Sequence, residues 1–102
     1  MTLTSPLYQL QADISPAVVG LNGVHLYAYT PAGAPLSVVE WRATASLPAR
    51  GLGPIEMTLV VAGDNHAVGQ VQLPVSGGWQ LRFTLRVSEI DEATVTWTVP
   101  VR

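Results

Sequence analysis

Two imidazoles, no thiol and seven scattered carboxylates are all this chain offers for acid–base, nucleophilic or metal chemistry. His25 stands in Val24-His25-Leu26-Tyr27-Ala28-Tyr29, sharing its parity with Tyr27 and Tyr29. His66 follows Asp64 by two positions in Gly63-Asp64-Asn65-His66. The acids are Asp13, Glu40, Glu56, Asp64, Glu89, Asp91 and Glu92, and only the last three form a group. No G-x-S-x-G, H-E-x-x-H, phosphate-binding or dinucleotide motif is present. Catalysis needs convergent titratable groups at defined spacing, so the chain reads as a non-enzyme.

Metal binding is the chemistry these residue types could perform. Imidazole suits copper and zinc, thioether suits Cu(I), and a carboxylate can complete a site. The candidate ligands are His25, His66 and Asp64, with Met57 as a soft partner. No H-x-H or Met-x-x-Met spacing occurs, and a lone strand histidine is more often a surface or core residue than a ligand. Outward-facing His25, Tyr27 and Tyr29 make the best candidate docking patch, since aromatic residues are enriched where proteins meet. Glu89, Asp91 and Glu92 form an acidic corner whose simplest reading is solvated charge. Pro48 to Pro54 reads as a crossover between sheets.

The elements that must position these groups are strands. From Trp79 to Val87 the residues Trp79, Leu81, Phe83, Leu85 and Val87 share one parity, and Gln80, Arg82, Thr84 and Arg86 take the other. That period of two marks a strand with one buried and one wet face. The same alternation runs through Tyr8–Ile14, Val24–Tyr29, Ser37–Leu47, Ile55–Val61, His66–Leu73 and Ala93–Val101. Val39, Trp41, Ala43, Ala45 and Leu47 are the inward set of the third, and Ile55, Met57, Leu59 and Val61 that of the fourth. Proline and glycine clusters separate these segments. The expectation is an all-β, seven-stranded antiparallel sandwich of immunoglobulin or fibronectin type III shape. Trp41, Trp79 and Trp97 all fall on inward parities.

Composition narrows the function. Residues 1–102 are near the commonest domain size and form a single domain. Without cysteine no disulfide supports it. Charged residues make up 12%, about half the usual share, which fits an extracytoplasmic domain better than a cytosolic enzyme. The net charge is −2 and the basic residues are single, dispersed arginines, so no nucleic-acid footprint exists. No apolar window is long enough to cross a membrane as a helix.

The order of signals resembles the C-terminal soluble domain of CopD-type copper-resistance membrane proteins, including CopC–CopD fusions and YtkA-like domains. The residues that carry the likeness are Gly20-Leu21-Asn22-Gly23-Val24-His25-Leu26-Tyr27, Gly33-Ala34-Pro35, and Leu47-Pro48 with Arg50-Gly51-Leu52-Gly53-Pro54. Leu73-Pro74, Gly78-Trp79-Gln80-Leu81 and Arg86-Val87-Ser88-Glu89-Ile90-Asp91 complete it. The resemblance implies a β-domain excised from a longer membrane protein, facing the periplasm or cell exterior and serving copper transport or resistance. Its partners would be the membrane domain of the same polypeptide or a copper carrier. Only His25 lies in a matching motif, and the N-terminal histidine pattern of CopC-type Cu(II) sites is missing. Three expectations follow: a docking module, a direct copper-binding domain using His25 and His66, or a structural or adhesive spacer.

Overall fold

Alternation along the chain becomes two facing antiparallel sheets in the computed structural model, which describes residues 1–102. The strands are β1 (Thr2–Thr4), β2 (Gln9–Ser15), β3 (Gly20–Tyr29), β4 (Glu40–Leu47), β5 (Leu52–Glu56), β6 (Thr58–Gly63), β7 (His66–Leu73), β8 (Gly77–Arg86) and β9 (Glu92–Val101). One sheet has the order β1-β2-β3-β7-β6 and the other β5-β4-β8-β9. There is no α-helix; a single 3-10 turn at Pro48–Arg50 follows β4.

The core fills the space between the sheets from the inward parities. Tyr8, Leu10, Ala12, Leu26, Ala28 and Leu73 come from one sheet. Ala45, Trp79, Leu81, Phe83 and Leu85 come from the other, all without solvent exposure. Each large apolar side chain so buried contributes roughly 1.5–3 kcal/mol. Trp79 also donates its indole N–H to the Val75 carbonyl at 2.9 Å. Trp41 and Trp97 keep the inward parity but are only half-buried at the rim.

Asn22 is the one buried polar side chain. Its Oδ1 accepts from the Ala17 and Val18 amides at 2.6 and 3.3 Å, and its Nδ2 donates to the Val18 and Gly20 carbonyls at 2.8 and 3.1 Å. A fully paired amide can sit in the interior because no donor or acceptor is left dry. It moulds the turn between β2 and β3, where Ala17 holds φ at 60°.

Nine strands form where the alternation implied seven, and the differences have physical causes. β1 is three residues long, too short to show a period, and is held as an edge on β2. The run Ile55–Val61 is not one strand. β5 pairs with β4 in one sheet, β6 pairs with β7 in the other, and Met57 stands between them. Met57 remains buried and its amide donates to the Ala43 carbonyl at 3.0 Å, so the chain changes sheets without breaking parity. Val61, expected inward, is 66% exposed: it lies near the end of the edge strand β6, just before the register slips between Val61 and Gly63. Val39, also expected inward, lies ahead of β4 and is 59% exposed. Pro48–Pro54 is not the expected crossover between sheets: it turns β4 back into β5, its paired neighbour in the same sheet, and the change of sheet comes at Met57.

Candidate functional site

The outer face of the five-stranded sheet carries the sequence-predicted docking residues. Inward packing of Val24, Leu26 and Ala28 turns His25, Tyr27 and Tyr29 outward on β3. On β7 the burial of Ala67, Val71 and Leu73 turns His66, Val68 and Gln70 outward likewise. The β3–β7 register then sets Tyr27 directly opposite His66 and His25 opposite Val68.

Three rings assemble from this register. Tyr27 and His66 stack with centroids 4.0 Å apart and planes at 11°. His25, the diagonal neighbour, lies 6.0 Å from His66 with planes at 23°. Directly opposite and diagonal positions on one sheet face are both within reach of aromatic side chains. Such stacked pairs contribute about 0.5–1.5 kcal/mol beyond their burial. His25 is exposed, whereas Tyr27 and His66 are half-buried. The His66 Nε2 atom is buried and has no hydrogen-bond partner, an unmet polar group within an otherwise packed cluster.

Beside the rings the face is bare. Gly23 presents no side chain, and His25, Val60 and Val68 border a shallow groove of about 470 Å³. Val60 on the edge strand β6 is 60% exposed. Tyr29 stands apart from the cluster: it pairs across β2 with Gln9, whose side-chain amide donates to the Pro31 carbonyl at 2.8 Å.

The four candidate metal ligands do not come together. Asp64 occupies the exposed β6–β7 turn, where its carbonyl accepts from the Val38 amide at 3.0 Å. Met57 is buried at the other end of β6, roughly 20 Å away at about 3.3 Å per residue. Only the two imidazoles are neighbours, and no group of three or more His, Asp or Glu side chains gathers anywhere. His25, His66, Asp64 and Met57 therefore do not converge as one four-ligand set, and only the two imidazoles stand close enough to share an ion. The acidic corner is likewise committed elsewhere: the Ser88 hydroxyl donates to Asp91 at 3.1 Å, and Glu92 binds Arg42 at 2.6 Å.

The sequence sets His25 beside Tyr27 on one strand and His66 near Asp64 at a turn; the pairing of His66 with Tyr27 depends on a register that no local signal specifies.

No family model matches the chain, and no curated protein matches it. Among solved structures it is similar to a crystal structure of a DUF4426 family protein from Pseudomonas aeruginosa PAO1. The two share 13% identity over 98% of this chain and 94% of that chain, with a TM-score of 0.64. At that identity the likeness shows a common two-sheet fold and says nothing of copper.

Proposed function

We propose that this chain is a non-catalytic docking module whose contact surface is the His25–Tyr27–His66 face, with Tyr29 at its margin. The observation that carries the reading is the three-ring stack, exposed on one side and holding an unpartnered imidazole nitrogen. A flat aromatic face of this kind is suited to a partner that covers the rings. The strand order supports an immunoglobulin-like or fibronectin-like architecture. β2-β3-β7-β6 stand as strands A-B-E-D of that fold, and β4-β8-β9 stand as C-F-G.

The motif resemblance to CopD-type domains supplies the biological setting of this proposal: an extracytoplasmic accessory domain of a copper transport or resistance membrane protein. Its partner is then the membrane domain of the same polypeptide or a copper carrier. The test is copper tolerance and uptake in cells carrying the full-length protein with His25→Ala, Tyr27→Ala or His66→Ala. Correct folding of each variant is checked by circular dichroism. Loss of copper handling in folded variants supports docking through this face; unchanged handling in all three refutes it.

A second reading, direct copper binding, is favoured by the 6.0 Å separation of the two imidazole rings. It requires a stoichiometric Cu(II) or Cu(I) complex of the isolated chain that disappears in both His25→Ala and His66→Ala. Calorimetry showing no complex tighter than about micromolar, roughly −8 kcal/mol, removes it.

A further inference from the structure

Where the chain crosses between sheets at Met57, β4 loses its neighbour. β5 pairs only with Thr44, Ala45 and Leu47, and the Met57 amide reaches the Ala43 carbonyl, so Trp41 and Arg42 have β8 on one side and no strand on the other. A cleft of about 780 Å³ opens there, lined by Trp41, Thr44, Ser46, Glu56, Met57 and Arg82 among others. That volume falls within the range of small-molecule sites, about 300–1,000 Å³.

Two features of the cleft have no structural use. Arg82 is exposed and has no carboxylate within ion-pair distance, unlike its neighbours. Arg42 holds Glu92 at 2.6 Å and Glu40 at 3.7 Å, and Arg86 holds Glu40 at 3.6 Å. Glu56 has no arginine partner either. Register places Glu56, Thr44 and Arg82 in one cross-strand row on the same face. Glu56 and Arg82 are thus two strand spacings apart, roughly 10 Å. An unpaired cation, an unpaired anion and a hydroxyl between them form a complementary set for one kind of ligand.

We propose that this cleft binds a small carboxylate rich in hydroxyl groups, of the sugar-acid class. Arg82 receives the ligand carboxylate in the two-pronged geometry that guanidinium favours. Ligand hydroxyls donate to Glu56 and exchange hydrogen bonds with Thr44 and Ser46. The site is separate from the aromatic face of the other sheet.

The intact protein is titrated with glucuronate, glucose and acetate by calorimetry and tryptophan fluorescence. The expected result is saturable glucuronate binding. Glucose is at least about tenfold weaker because it lacks the charged bond to Arg82, and acetate at least about tenfold weaker because it lacks the hydroxyls that meet Glu56, Thr44 and Ser46. Arg82→Gln weakens glucuronate by about tenfold or more. Arg86→Gln, outside the cleft, leaves affinity unchanged. Absence of saturation, equal affinity for glucose or acetate, full binding by Arg82→Gln, or an equal loss in Arg86→Gln overturns the proposal.

Discussion

Asn22→Ala removes four hydrogen bonds from a turn that has no other internal support for them. Three are of good length, 2.6 to 3.1 Å, and one is long at 3.3 Å. At about 1 kcal/mol net per bond, the three good ones give a loss of about 3 kcal/mol. Val18 is exposed and its freed groups can find water, while Ala17 and Gly20 are half-buried and less easily rehydrated. The expected cost is therefore about 2–4 kcal/mol, a large share of the 5–15 kcal/mol typical of a domain. Asn22→Asp sharpens the test. Its carboxylate still accepts from the two amides but sets a charged oxygen against the Val18 and Gly20 carbonyls, in a site without solvent. Burial and those carbonyls raise the folded carboxyl pKa above its ordinary value of about 3.9. An acid whose folded pKa is raised loses stability as pH rises through the unfolded value. Asn22→Asp thus lies closer to the wild type at pH 4 than at pH 7, whereas the deficit of Asn22→Ala is the same at both. Urea unfolding followed by tryptophan fluorescence measures both gaps. An alanine variant within about 0.5 kcal/mol of wild type, or an aspartate deficit independent of pH, refutes the reasoning.

Two further predictions concern the core and the sheet. Burial pushes the Tyr8 phenol up to about 12, opposed in smaller measure by the Leu85 backbone, while its O–H donates to the Ala93 carbonyl. The folded protein therefore holds this proton more tightly than the unfolded chain, and stability falls between pH 10 and pH 12 by about 3 kcal/mol. Tyr8→Phe should flatten that part of the pH–stability curve, and an unchanged slope would show that the loss arises elsewhere. Gly69→Ala drives a methyl group into the Thr58 carbonyl and to 2.6 Å from the Leu59 side chain, whereas the same change at Gly23 meets only the Ser15 carbonyl at 3.8 Å. Thermal unfolding should show about 1–3 kcal/mol of destabilisation for Gly69→Ala and little for Gly23→Ala; equal effects would contradict the close β6–β7 approach.

Parity made most strands legible, because a buried face imposes apolar residues at every second position whatever the partner strand. Trp79, Leu81, Phe83 and Leu85 are completely buried on that account alone. Parity carries no record of which sheet a strand joins. Ile55–Val61 alternates without interruption, yet it serves two sheets, because Met57 faces the common interior from either side. Val61 shows the limit from the other direction: an edge strand with a register slip exposes a valine that the pattern would bury. The same distinction governs the candidate site. His25 and Tyr27 are legible as neighbours two positions apart on one strand. The union of Tyr27 with His66 comes from cross-strand register between segments nearly forty residues apart, and the unpaired state of Arg82 emerges only once Arg42 and Arg86 have taken the nearby acids.

The crossing at Met57 also determines how the two sheets can separate. One residue ties the end of β5 to the start of β6, so a covalent seam closes that side of the sandwich. On the opposite side no residue joins β1 to β9, and hydrogen bonds tie the edges instead: Val19 and Arg102 pair through their backbones, and the Tyr8 hydroxyl donates to the Ala93 carbonyl. Native-state hydrogen exchange should therefore find the three-residue edge strand β1 exchanging before the central strands β3 and β8.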